Sequence, residues 1–307
     1  MQTIHFDSHG TACAAWHLPA ESDELASCRG RPCVVMAHGF GCTRDGGLLP
    51  FAERFAAAGA EVIVFDYRGY GTSDGAPRQD VNHRRHRQDY QSAIGVARAL
   101  PGVDPARIVL WGTSYSGGHV VAVAARDRRV AAVISQGAAM DGLAILRAPR
   151  AAGRRPTTAS KAKARAMLGA AARDVGRALT ARAPVAVPVF GESGTLALMA
   201  TAGGMASIRA ILGPTWRNEM CARGILRIAA NRPVTVARKL TCPILLVVAE
   251  RDEIAPAESV REVARRVGAR AQVQSFDCGH FDIYAGPIFD KSVAAQVDFL
   301  RRHAAPR

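Results

Sequence analysis

The sequence predicts an α/β fold: a mostly parallel central sheet with helices on both faces, built as one domain over residues 1–307. Two observations predict it. Short apolar runs alternate with longer amphipathic runs along most of the chain, as when strands are joined by crossover helices. That rhythm breaks once, between residues 137 and 238, and then resumes, which predicts an insertion in the domain rather than a second one.

The elements follow in order. Residues 3–6 and 12–16 flank the turn signal His9-Gly10 and read as an N-terminal hairpin. Residues 32–37 are a buried strand, 48–58 a helix that stops at Gly59, and 61–65 the next strand. Residues 84–100 form a helix ended by Pro101-Gly102, 107–111 a strand, 114–126 a helix and 130–135 a strand. Inside the break, residues 158–182 carry an Ala- and Arg-rich helical pattern with Thr157 or Thr158 as N-cap. A Gly-rich stretch through Gly203-Gly204 follows, and then a further helical pattern over 216–230. Strand 243–249, helix 256–267, strand 271–276 and helix 289–302 complete the chain. Residues 140–235 are therefore expected to be a helical cap inserted over one end of the sheet, since a compact domain does not carry so long a structureless loop.

Composition narrows the function. At 49% hydrophobic residues the chain is globular. No apolar run is long enough to span a bilayer, and residues 1–10 lack a basic-then-apolar leader, so a cytoplasmic protein is expected. Seven cysteines without CxxC spacing suggest free thiols in a reducing compartment, with neither a disulfide framework nor a metal site. The formal charge of +14 invites a nucleic-acid partner, but the arginines are scattered and aromatics make up only 6%, so none is expected. A solvated basic surface is the simpler reading, and the oligomeric state is left open.

The chemistry sits at strand ends. The strand at 107–111 runs into Gly112-Thr113-Ser114-Tyr115-Ser116-Gly117-Gly118, and a helix follows. A serine in that turn has small residues two places before and after it, which lets the backbones pass. The helix N-terminus behind it favours developing negative charge. The pattern resembles the nucleophile elbow of the α/β-hydrolase superfamily. Ser116 also fits small-x-Ser-x-small. In the family, however, the first small residue follows the strand's last large apolar residue, here Trp111, which makes Ser114 the nucleophile. A plain helix N-cap is the alternative role for Ser114.

The resemblance implies the remaining roles. His38-Gly39-Phe40-Gly41 after the strand 32–37 corresponds to the superfamily's oxyanion loop, so the backbone N–H groups of Phe40 and Tyr115 are the expected donors, with His38 structural. Asp66-Tyr67-Arg68-Gly69-Tyr70-Gly71-Thr72-Ser73 resembles the D-x-R-G-x-G-x-S segment, a loop tie. Asp252 to Pro256 matches the family's D-x-x-x-P acid pattern, although Glu250 stands where glycine is frequent. Asp141 is the alternative acid. Gly279-His280-Phe281 resembles the histidine loop, so Asp252 would fix the tautomer of His280, and His280 would take the proton of Ser114.

The resemblance covers about residues 12–140 and 233–303. Within it, the run Trp111–His119 and the run Gly279–Tyr284 are similar to a bacterial branch labelled dienelactone-hydrolase-like or peptidase-like, and to fungal polyketide transferases. It implies a serine esterase or thioesterase acting through an acyl-enzyme on a small, apolar acyl substrate, with no cofactor and no metal. Acyl transfer or small-peptide cleavage on the same residues is the first alternative, and a non-catalytic binding protein on the same scaffold is the second. Phe190 and Met199 are expected to face the substrate from the cap; as apolar residues they could equally form the cap's own core.

Overall fold

The computed structural model describes residues 1–151, 157–200 and 204–305. In chain order the elements are β1 (Gln2–Asp7), β2 (Ala12–Leu18), β3 (Arg31–Ala37), α1 (Leu49–Ala57), β4 (Glu61–Phe65), α2 (His83–Ala99), β5 (Val103–Thr113), α3 (Tyr115–Ala124), β6 (Val130–Gln136), α4 (Gly142–Ala151) and α5 (Thr158–Leu179). Short pieces follow: β7 (Ala186–Val187), β8 (Phe190–Gly191), β9 (Met199–Ala200), α6 (Gly204–Arg209) and β10 (Met220–Cys221). The chain closes with β11 (Ile244–Ala249), α7 (Ala257–Val267), β12 (Ala271–Phe276) and α8 (Gly286–Ala304).

Eight strands form one sheet in the order β1-β2-β4-β3-β5-β6-β11-β12. β1 and β2 pair antiparallel, as do β2 and β4, and the pairs from β4 to β12 are parallel. The predicted hairpin is thus the antiparallel edge of a parallel sheet. Alternate residues of each central strand feed the two faces. In β3, Cys33, Val35 and Ala37 join one core cluster while Val34 and Met36 join the other. Helices α2, α3 and α7 cover the first face through residues such as Tyr90, Val120 and Val263. Helices α1 and α8 cover the second through Phe51, Phe55, Phe299 and Leu300. This two-sided burial is why the strands read as nearly continuous apolar runs.

Several helix starts carry the cues the sequence shows. Thr157 caps α5, its side chain accepting from the Ser160 amide at 3.1 Å, and Asn82 caps α2 in the same way. The helix expected over 216–230 does not form. In its place stand β10 and a 3-10 turn at Ala222–Arg227. Tertiary bonds take the backbone there: the Cys221 amide donates to Gln79 O at 2.9 Å and the Ala222 amide to Val185 O at 2.8 Å. Local helical pattern gives way to these long-range partners.

Candidate active site

The parallel strands deliver their following loops to one edge of the sheet, and the three predicted triad residues are in those loops. Ser114 follows β5, Asp252 follows β11 and His280 follows β12. His280 Nδ1 lies 2.6 Å from Asp252 Oδ2, and His280 Nε2 lies 3.1 Å from Ser114 Oγ. The other carboxylate oxygen of Asp252 accepts from the amides of Ile254 at 2.8 Å and Ala255 at 2.7 Å, so both its oxygens are oriented. Backbone bonds tie the acid and histidine loops, from the Glu250 amide to Phe276 O at 2.9 Å and from the Arg251 amide to Cys278 O at 3.0 Å.

Ser114 sits in a strained turn, with φ 55° and ψ −118° although it is not glycine. Such a conformation costs about 1–3 kcal/mol and persists only where its surroundings impose it. Its side chain makes no helix-capping bond and faces His280 instead, which disfavours the N-cap role. The small neighbours are sterically required. A Cβ on Gly112 would lie 2.4 Å from Ser116 O, and one on Gly39 would lie 2.9 Å from Ser114 Cβ. Ser116 is fully buried and otherwise engaged: its hydroxyl donates to Ala37 O at 2.7 Å and accepts from the Thr113 amide at 2.8 Å. The two serines of the ambiguous motif are therefore separated by environment.

Phe40 and Tyr115 flank Ser114, their rings meeting edge to face with centroids 5.0 Å apart. Tyr115 opens α3, so its amide has no intrahelical acceptor. Buried His38 hydrogen-bonds through Nδ1 to Gly39 O at 3.0 Å. That carbonyl belongs to the same peptide plane as the Phe40 N–H, so the contact fixes where the amide points. Burial, despite the opposing influence of nearby Asp66, holds the His38 pKa below its usual value and keeps the ring neutral.

The other acids have structural partners. Asp141 makes two bonds of 2.9 Å to Arg232 and accepts from the Leu143 amide at the start of α4. Burial alone would raise its pKa, but Arg232 and that amide outweigh it and hold the carboxyl low. Buried Asp66 pairs with Arg44, and Arg68 with Asp89, as loop ties. A Cβ on Gly71 would strike Asp66 Oδ2 at 2.1 Å, which explains that glycine of the motif.

The segment after α5 closes over this edge. Phe190 and Met199 pair across β8 and β9, and both line a cavity with Ser114, His280, Ile211 and Phe281. Its volume is about 20 Å³, room for one water molecule. The segment is tied to the Phe40 loop: Trp216 Nε1 donates to Gly41 O at 3.0 Å, and Thr215 Oγ1 donates to Asp45 Oδ2 at 2.8 Å. Sequence reasoning missed Ile211, Thr113 and Tyr284, which also line the cavity. Tyr284 does fall inside the run Gly279–Tyr284, but nothing in its spacing shows that its hydroxyl meets Thr113. Among the described residues no cluster of three or more His, Cys, Asp or Glu is placed to hold a metal ion.

The chain matches a family described as "alpha/beta hydrolase fold" over residues 32–287. It is 38% identical over 302 residues to the quorum-quenching protein AidA of Acinetobacter baumannii (strain MDR-ZJ06), covering 97% of this chain and 94% of that protein. It is 29% identical over 298 residues to the thiohydrolase apmlB of Arthrinium phaeospermum, covering 90% of each. Other thiohydrolases and polyketide transferases, from fungi, are also among the relatives. In fold it is similar to the α/β hydrolase GrgF from Penicillium sp. sh18, with a TM-score of 0.80 at 23% identity, covering 99% of this chain and 98% of that one.

Proposed function

Because the chain belongs to the α/β-hydrolase fold family, we propose that it is a serine hydrolase that cleaves a carboxylic ester or thioester through an acyl-enzyme on Ser114. One observation carries the reading: the Asp252–His280–Ser114 chain of contacts at 2.6 and 3.1 Å, with Ser114 in the strained turn before α3. Hydrolase-class relatives, the thiohydrolases among them, support an enzyme of this kind.

His280 Nε2 takes the proton of Ser114 as Oγ attacks the carbonyl carbon, and Asp252 stabilises the imidazolium. The N–H groups of Phe40 and Tyr115 receive the oxyanion. On collapse, His280 returns the proton to the leaving alcohol or thiol. Water then attacks the acyl-enzyme with His280 as base, regenerating the Ser114 hydroxyl. The chain's own residues are enough for every step.

Residues 140–235 serve as the cap, and the apolar wall formed by Phe190 and Met199 selects the acyl group. A second reading, acyl transfer, draws support from the polyketide transferases among the relatives: an alcohol or amine acceptor would take the place of water on the same three residues.

Turnover of p-nitrophenyl esters by the wild type and by Ser114→Ala tests the proposal. Hydrolysis by the wild type and none by a folded Ser114→Ala is expected. Undiminished hydrolysis by the variant would remove Ser114 from the chemistry. Hydroxylamine or a short alcohol added to the assay separates the two readings through the partition between acid and acylated acceptor.

A further inference from the structure

We infer that the hydrogen bond between Thr113 and Tyr284 is a strut that sets the reach of His280 to Ser114, making Tyr284 and Thr113 positioning residues. This rests on the serine-hydrolase reading above. The observations come from the topology and from one buried polar chain.

The strand before His280 is not a neighbour of the strand before Ser114. The order β5-β6-β11-β12 puts two strands between them, so β12 lies three strand spacings, about 14 Å, from β5. The loop after β12 has to reach back across the sheet edge. Its own bonds tie it to the acid loop, through Glu250 and Arg251, and to itself, the Gly279 amide donating to Asp282 Oδ2 at 2.7 Å. None of these fixes it against the nucleophile. The contact of Tyr284 OH with Thr113 Oγ1, at 2.5 Å, does so directly: Tyr284 is four residues after His280, and Thr113 immediately precedes Ser114.

Thr113 is itself held from behind. Its hydroxyl meets Gln136 Nε2 at 3.4 Å; Gln136 Oε1 accepts from Gln296 Nε2 at 2.7 Å; and Gln296 Oε1 accepts from Trp111 Nε1 at 2.6 Å. An indole N–H can only donate. Gln296 must therefore turn its oxygen to Trp111 and its nitrogen to Gln136, and Gln136 must turn its nitrogen to Thr113. One orientation of both amides satisfies the whole chain. Trp111, Gln136 and Gln296 are fully buried, and Thr113 is nearly so. An amide reversed in that environment would leave polar groups unpaired at a cost water cannot relieve. Gln136 also accepts from the Ser114 amide through its own carbonyl at 2.8 Å, so one residue holds both the nucleophile's backbone and the foot of the strut.

The test is a double-mutant cycle on p-nitrophenyl acetate with Tyr284→Phe, Thr113→Val and the pair combined, each checked for folding by its thermal midpoint. Thr113→Val carries the test should Tyr284→Phe fail to fold. Each single variant is expected to lower kcat by about ten- to a hundredfold, the scale set by a misplacement of about 1 Å. KM should stay within about twofold. The combined variant should be no slower than the slower single one, because one contact is removed twice. Thr113→Ser, which keeps the hydroxyl, should recover most of what Thr113→Val loses. A kcat for Tyr284→Phe within about twofold of wild type, a loss carried by KM, or a combined loss equal to the product of the single losses would overturn the strut. Undiminished turnover in Ser114→Ala, measured alongside, would overturn the serine-hydrolase reading instead.

Discussion

Ser114 and Ser116 stand two positions apart in one motif, and their surroundings predict opposite outcomes. Ser114→Ala should abolish ester hydrolysis. Ser116→Ala should stay folded and active, but less stable by about 1–3 kcal/mol, because buried Ala37 O and the Thr113 amide lose their partner. Rates and urea midpoints of the two variants check this; a dead, folded Ser116→Ala beside an active Ser114→Ala would reverse the roles. The two candidate acids separate in the same way. Asp252→Asn is expected to lower kcat by up to ~10⁴ while the fold persists, since the tautomer of His280 is no longer imposed. Asp141→Asn should leave kcat nearly unchanged and reduce stability, because its partners are Arg232 and the first turn of α4. The reverse ranking of kcat would move the acid to Asp141. The candidates Ser114, Asp252 and His280 could be picked out in the sequence because each lies in a short motif at a strand end. Tyr284 and Gln296 could not, since their partners are 171 and 160 residues away and no local pattern encodes them.

Among the elements, the long strand–helix alternation was legible, and the segment between β6 and β11 was only partly so. Helix α5 declares itself through its length and its Thr157 cap. The two-residue strands β7 to β10 are too short to carry a period. They are held by tertiary bonds instead: Asn218 Oδ1 accepts from the amides of Val189 at 3.1 Å and Phe190 at 2.9 Å. The helical reading of 216–230 failed at the same place, because Asn218 and Cys221 are taken up by these long-range contacts. Phe190 and Met199 face the cavity from these strands. Phe190→Ala and Met199→Ala should therefore shift the preferred acyl chain toward longer esters. Acetate turnover should stay within roughly tenfold, since one altered pocket contact is worth ~1–3 kcal/mol. A series of p-nitrophenyl esters of increasing length checks it. An unchanged profile with acetate hydrolysis lost would assign the segment to the catalytic geometry.

For the whole molecule, the sequence and the matched family agree on an α/β-hydrolase fold, and the candidate site lies at one edge of its sheet. What the sequence did not reveal is a buried group of histidines behind that edge. His38, His86 and His119 have pKa values lowered by burial, and His83 is pushed down to about 4 by burial and then by Arg87 and Arg84. Burial favours the neutral ring of all four in the folded chain, whereas an unfolded histidine takes up its proton near pH 6.5. Stability is therefore greatest above about pH 6.5 and falls as the pH drops below it, the part due to His83 being spent by about pH 4. The slope is roughly 1.4 kcal/mol per pH unit for each histidine while it is protonated only in the unfolded chain. Urea unfolding at pH 7 and 5.5 should show a marked loss at the lower pH, and equal stability at both would contradict it. The central claim, a nucleophile at Ser114 activated by His280, is tested most directly by treating the folded protein with a fluorophosphonate probe and mapping the labelled peptide. A single adduct on Ser114, absent in Ser114→Ala and formed far more slowly in His280→Ala, is the result the geometry predicts. An adduct on another residue, or none on a protein shown to be folded, would contradict it.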